Sequence, residues 1–187
     1  GALRDEQFTS GATVGGRSAY VSLPCRRFPA VAEAEADLSV ARAEYERLKR
    51  EAAGHGAVRT VECVVFGAEE VITLARAQAD GRLLPVQASH RSAEVQVLRI
   101  GDTFLVGLPG ECFVEYALEI KQRASARVFV VSMANGELQG YITTPEAVGY
   151  EANLSFFTAA SGAVLVDQAL SLLEASVPPK APGINEE

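Results

Sequence analysis

Residues 93–111 read Ala93-Glu94-Val95-Gln96-Val97-Leu98-Arg99-Ile100-Gly101-Asp102-Thr103-Phe104-Leu105-Val106-Gly107-Leu108-Pro109-Gly110-Glu111, and this stretch decides the fold class. Val95, Val97 and Ile100 stand against Glu94, Gln96 and Arg99, the alternation of a strand with one face buried. Gly101-Asp102 is a hairpin signal, and residues 103–108 form a second, more buried strand. Pro109-Gly110-Glu111 breaks that strand, and residues 113–124 take up helical spacing. A hairpin running through a tight bend into a helix predicts an α/β fold, a mixed β-sheet covered by helices.

Upstream, Val31, Ala34, Leu38, Ala41, Tyr45, Leu48 and Ala52 recur at steps of three and four, an unbroken apolar seam on a helix. Glu33, Glu35 and Asp37 crowd its start and Arg47, Lys49 and Arg50 its end, matching the helix dipole; Gly54-His55-Gly56 stops it. The period restarts with Val58, Val61, Val65, Ala68, Ile72, Ala75 and Ala79, and Gly81 ends it. Val61, Val64 and Val65, followed by Gly67, weaken the first half of this second helix and predict an extended or kinked stretch there. Residues 31–80 therefore read as an antiparallel helical hairpin near the N-terminus, serving as scaffold. The same alanine-rich seam offers an alternative, pairing between chains in an oligomer.

A loop is expected around Pro85, and a short strand over 19–23, stopped by Pro24. Residues 128–133 read as a buried strand before the Ala134-Asn135-Gly136 turn, and residues 145–148 as one helical turn. A closing helix spans 161–174 with Ala163, Val166, Leu170 and Leu173 on one face. The expected organisation is a flexible lead-in at 1–18 and one α/β unit at 19–176, with its hairpin at 31–80 and its core at 93–175. A proline-rich, acidic, disordered tail follows at 177–187.

Of 187 residues, 48% are hydrophobic and 22% charged, enough to bury a core. The net charge of −7 argues against a nucleic-acid-binding surface, and Arg26, Arg27, Arg42, Arg47 and Arg50 read as parts of mixed-charge, solvated faces. The longest apolar runs, such as 128–131 and 163–166, are too short to cross a bilayer. Cys25, Cys63 and Cys112 fit neither a metal knuckle nor a disulfide framework and read as small buried apolar residues. Residues 1–17 lack the basic start and apolar centre of a signal peptide, and localisation is not legible. The first residue is Gly1 rather than Met, which fits either a leading residue added in cloning or a cut within something longer.

Two places carry candidate chemistry. The bend at 107–111 is expected to put Glu111 in the first turn of the following helix, at a sheet edge where α/β folds hold ligands; on the pattern alone, complementing the helix dipole is the better account of that glutamate. Residues 134–146 are rich in turn formers and hydroxyls directly after a buried strand. They suit either a pocket-lining loop, with Asn135, Thr143 and Thr144 as substrate contacts, or a tight connection in which Thr144 caps a helix begun by Pro145.

Residues 94–173 resemble the C-terminal part of the catalytic domain of the neutral/alkaline, non-lysosomal ceramidase family, and are especially similar to its bacterial ceramidase-like proteins. Carrying the resemblance are Leu98-Arg99-Ile100-Gly101-Asp102, Leu108-Pro109-Gly110-Glu111 with Phe113-Val114-Glu115, Ala134-Asn135-Gly136, Gly140-Tyr141-Ile142, Thr144-Pro145-Glu146 and Tyr150-Glu151. The hairpin and residues 59–75 resemble the preceding region less distinctively. The resemblance implies a zinc-dependent amidohydrolase cleaving an N-acyl bond of a small or lipid-like substrate. One zinc would be held by two histidines, a glutamate and a tyrosine, the last two being Glu111 and Tyr141 here. Such a metal polarises the amide carbonyl and lowers the pKa of a bound water to roughly 7.

The family's two zinc histidines lie in the N-terminal half of its catalytic domain, and this chain starts after that half. His55, between glycines, and His90, beside Arg91, carry no family motif and read as surface residues. Glu111 and Tyr141 alone are expected to bind zinc weakly or not at all, so the complete protein would need the missing N-terminal half as partner. The alternative is a non-catalytic binding or assembly module that retains the scaffold.

Overall fold

Ile100 pairs with Thr103 across Gly101-Asp102, and this two-residue turn, with Gly101 at φ 60°, sets the register of the central hairpin. The computed structural model describes residues 11–90, 92–136 and 140–177. Their order is β1 (Val14–Ser22), α1 (Val31–Arg50), α2 (His55–Ala79), α3 (Leu83–His90), β2 (Ser92–Ile100), β3 (Thr103–Gly107), β4 (Glu111–Cys112), α4 (Val114–Arg123), β5 (Arg127–Val131), β6 (Tyr141–Ile142), α5 (Tyr150–Leu154) and α6 (Ala160–Ser176). The protein has an α/β fold with a mixed sheet.

The main sheet runs β1-β2-β3-β5. Its β1–β2 and β2–β3 pairs are antiparallel, and β3–β5 is parallel, the two strands joined through α4 as a parallel pair requires. A second, two-stranded parallel sheet pairs β4 with β6. Ala93, Val95, Val97, Phe104, Val106 and Val128 point to one face and meet Leu165, Val166, Ala169 and Leu173 of α6, with Tyr116 and Ile120 of α4 alongside. The opposite face holds the row Gly16-Leu98-Leu105-Phe129, with Ile100 and Val131 near it. Leu98, Ile100, Phe129 and Val131 remain 39–53% exposed there, an apolar face on an otherwise well-buried sheet.

The hairpin forms a second core, in which Ala34, Leu38 and Ala41 meet Val65, Ile72 and Ala75. Ion pairs of Arg42 with Glu69 and Glu35 with Arg76 confirm that α1 and α2 run antiparallel. The alanine seam is thus consumed within the chain. Both helices end in the same way: Ala53 N–H bonds Leu48 O around Ala52 (φ 49°), and Arg82 N–H bonds Ala77 O around Gly81 (φ 73°). Gln78 ties the hairpin to the rest, donating to Phe28 O and accepting from Phe28 N–H.

Several expectations needed correction. The first strand begins at Val14, so residues 14–18 are not lead-in; nine register pairs with β2 hold this edge despite Gly15 and Gly16. Residues 1–10 and the tail at 178–187 lie outside the described residues. The helix α2 runs unbroken through Gly67 rather than turning extended there, because burial against α1 outweighs the β-branched propensity cost. Ala52 lies past the end of α1. Pro85 sits in the first turn of α3 rather than in a loop, where its missing N–H has no helical partner to lose.

Glu111 is in β4, not the first turn of α4; Glu115 takes that position. Residues 145–148 form a turn closed by Ala147 N–H on Thr144 O, and the helix follows later as α5. In α6, Ala163 faces solvent, and the buried stripe runs through Gly162, Leu165, Val166, Ala169 and Leu173. Cys25, Cys63 and Cys112 are only partly buried rather than core residues. Among the described residues, no helix is long and apolar enough to cross a membrane.

Candidate functional site

The bend after β3 is stitched to the end of β5 by three backbone bonds: Leu108 N–H to Val131 O (2.9 Å), Met133 N–H to Gly110 O (2.9 Å) and Ala134 N–H to Leu108 O (3.0 Å). Gly110 turns at φ 76°, a conformation with little cost only for glycine, and releases the chain into β4. Glu111 N–H then donates to Gly140 O at 2.8 Å and Phe113 N–H to Ile142 O at 3.0 Å, bracketing the β4–β6 ladder. In that ladder Glu111 is the direct register partner of Tyr141. Laterally paired residues project to the same face, so the carboxylate and the phenol stand side by side.

Electrostatics agree with the register. Burial holds the Tyr141 phenol above its ordinary range, and the Glu111 carboxylate adds to this, followed by Tyr150, Glu151 and Glu70. A cation placed among these groups would act in the opposite direction. The Tyr141 and Tyr150 rings meet edge to face with centroids 6.2 Å apart. Tyr150 in turn rests on Gly67 of α2, where an added Cβ would come within 3.2 Å of the ring. The helix-weakening glycine is therefore the place where α5 docks.

Beside Tyr141 opens a cavity of about 310 Å³. Leu74, Leu154 and Phe156 provide apolar walls, Tyr141 and Tyr150 two ring surfaces, and α2 contributes Thr73 and Glu70. Glu111 flanks Tyr141 but does not line this space. Sequence reasoning passed over Glu70. Its signal is Gly67, Glu70, Thr73 and Leu74 at helical spacing, a second stripe on α2 distinct from the seam facing α1.

The three expected substrate contacts lie apart from this cavity. Asn135, in left-handed conformation at φ 66°, donates through Nδ2 to the carbonyls of Glu94 and Gly107, each at 3.0 Å. It latches the β5 exit onto β2 and β3. Thr143 is buried, and its carbonyl accepts from the Tyr116 hydroxyl at 2.8 Å. With Thr144 and Arg26 it lines a separate cleft of about 230 Å³. Arg26 already donates to Ala152 O and lies over the Phe28 ring, 5.0 Å from its centroid.

As for a metal, Glu111 and Tyr141 supply two adjacent oxygen donors. A closed tetrahedral zinc site needs four protein ligands, and a catalytic one needs three. Among the described residues, no three His, Cys, Asp or Glu side chains group closely enough to hold an ion. His55 begins α2, about 22 Å of helical rise from Glu70 at 1.5 Å per residue. His90 ends α3, its Nδ1 2.9 Å from Val86 O. These donors do not complete a zinc shell. No protein-family model, curated protein or solved structure matches the chain.

Proposed function

We propose that this chain is the C-terminal portion of a ceramidase-like, zinc-dependent amidohydrolase that cleaves an N-acyl bond, and that it does not turn over alone. One observation carries the reading: the Glu111 and Tyr141 side chains share a ladder position and a face. Those are the two donors that the resemblance assigns to the metal. The bonds that bracket the β4–β6 ladder are made by backbone atoms and not by these two side chains. A carboxylate set beside a phenol, each disfavouring the other's negative charge, is an arrangement that a cation relieves.

The apolar sheet face supports the incompleteness. Leu98, Ile100, Phe129 and Val131 form a surface of the kind that another layer covers. The same layer would have to bring the two histidines. Hydrolysis therefore depends on a partner half, and the substrate class is an amide whose acyl or amine side carries apolar surface.

The reading is tested by co-expressing the chain with a histidine-bearing N-terminal half and measuring bound zinc and amide hydrolysis. One zinc per complex is expected, with Glu111→Ala and Tyr141→Phe each lowering zinc affinity. Unchanged zinc content and amidase activity in Glu111→Ala would overturn the assignment.

The alternative, a non-catalytic binding or assembly module on the same scaffold, draws on the same apolar face. It predicts a stable complex that takes up no stoichiometric zinc.

A further inference from the structure

The cleft of about 230 Å³ that Thr143 and Thr144 line is built on a short crossing of two segments. Cys25 forms a bridge with Phe157, flanked by Arg26 N–H on Phe156 O (2.9 Å) and Thr158 N–H on Pro24 O (2.8 Å). Arg26 and Thr158 are therefore diagonal neighbours on one face of the bridge. Both line the cleft, together with Ala152 of α5.

Hydrogen-bond donors gather here. Arg26 commits one guanidinium nitrogen to Ala152 O and keeps further N–H groups, and burial holds its pKa below the ordinary range. Thr143 is only 6% exposed, yet its hydroxyl makes no hydrogen bond among the described residues. That oxygen is not sealed in as Ser161 Oγ is, so it opens onto the cleft that Thr143 lines. Thr158 and Ala159 lead from the cleft into α6. This helix starts with no capping side chain and no acid in its first turn, so its positive end lacks a carboxylate of its own. Glu146, between the lining residues Pro145 and Ala147, is exposed.

We propose that this cleft binds a phosphate group, whose oxygens take donors from Arg26 and from the hydroxyls of Thr143, Thr144 and Thr158 at the N-terminus of α6. A guanidinium, hydroxyls and a helix N-terminus are the donors that phosphate recognition uses. A phosphate offers them three terminal oxygens and about two negative charges, more of both than a carboxylate. Thr158 and Pro145 are exposed at the rim, so a group esterified to the phosphate has room outside. Glu111 and Tyr141 take no part, and the proposal goes beyond the hydrolase reading without resting on it.

The test titrates the metal-free chain with inorganic phosphate, glycerol phosphate and acetate at constant ionic strength, following backbone amide shifts by NMR. At about pH 7.5 a phosphate ester is dianionic. Saturable shifts are expected at Thr158, Ala159 and Ala160, with a dissociation constant on the order of 1 mM for phosphate and at least about tenfold weaker for acetate. Glycerol phosphate binding as tightly as the free ion, or more tightly, marks an ester as the source; weaker binding marks free phosphate. Arg26→Gln should weaken phosphate at least about tenfold and Thr158→Val about threefold. Arg27→Gln, at the exposed neighbouring position, should leave it unchanged. Should Arg26→Gln fail to fold for want of its bond to Ala152 O, Thr158→Val, on an exposed residue, decides the matter.

Acetate binding as tightly as phosphate, shifts that never saturate, an unaffected Thr158→Val, or an Arg27→Gln loss equal to that of Arg26→Gln would overturn the proposal. The zinc measurement does not enter this result, and a complete protein without zinc would leave the phosphate site standing.

Discussion

The Tyr116 ring occupies the space where Gly162 would carry a side chain: a Cβ there would overlap Cζ, Oη and Cε1 of the tyrosine. This contact lets α4 lie against α6 and brings the Tyr116 hydroxyl to Thr143 O at 2.8 Å, fixing the segment just after β6. The site strand is thereby held from behind by a helix–helix contact. Gly162→Ala is expected to destabilise the fold by about 2–3 kcal/mol, through overpacking and the lost hydrogen bond, less the helix propensity gained by alanine. Urea denaturation checks this, and a second substitution of Tyr116→Leu should recover part of the loss.

Asn135 supports a prediction that distinguishes a latch from a substrate contact. Its amide satisfies two carbonyls, and Gly107 packs against it with no room for a Cβ, which would lie 3.0 Å from Nδ2 and Oδ1. Asn135→Asp, which exchanges the donors for an acceptor facing carbonyl oxygens, should destabilise the chain by about 2 kcal/mol or more. Asn135→Gly keeps the backbone conformation and should cost less than Asn135→Ala. A stability order of Asn, Gly, Ala, Asp, read from denaturant midpoints, is the expected outcome. A neutral Asp variant would remove the latch.

Much of the fold was legible in the sequence. Alternation in residues 93–100 and the Gly101-Asp102 turn placed β2 and β3, and the seam from Val31 placed α1, because these signals rest on strong periodicity and local turn chemistry. What escaped was set by tertiary contacts. Gly15 and Gly16 give β1 little propensity of its own, and only pairing with β2 makes that stretch a strand. Glu111 was assigned to a helix because the Pro-Gly bend looks like a helix start, whereas a ladder with residues far along the chain makes it β4. Glu70 had no motif to announce it, since a helical glutamate near Thr73 is ordinary until α5 and β6 enclose it.

Cys112 is predicted to be chemically silent in the folded chain. Burial pushes its thiol up to about 12, and its S–H points at Pro109 O, 3.3 Å away. The folded value lies above the unfolded one of about 8.5, so the neutral thiol favours folding. That contribution is complete below about pH 8.5 and is lost as the pH rises through about 12. At pH 8, modification of Cys112 by an aromatic disulfide should run at least about tenfold slower in the native protein than in urea, the smaller thiolate fraction outweighing the greater nucleophilicity of a more basic thiolate. Cys112→Ala should flatten the alkaline side of the stability curve. Rapid labelling of native Cys112 would contradict the burial.

The exposed sheet face yields a last prediction, in which stability and association separate. Phe129 is 53% exposed and Leu98 39%, and they flank Leu105 in one register row, so only part of their apolar area serves the isolated fold. Phe129→Ser together with Leu98→Ser should lower the unfolding free energy by about 2 kcal/mol, the worth of the buried half of each side chain, and leave the chain folded. The same substitutions should suppress binding of an apolar fluorescent dye and any concentration-dependent self-association in sedimentation. They should also abolish capture by a histidine-bearing N-terminal half, because that layer would lose its apolar contact. An intact complex with the double variant would mean that this face is not where the second layer sits, and the case for an incomplete site would then rest on Glu111 and Tyr141 alone.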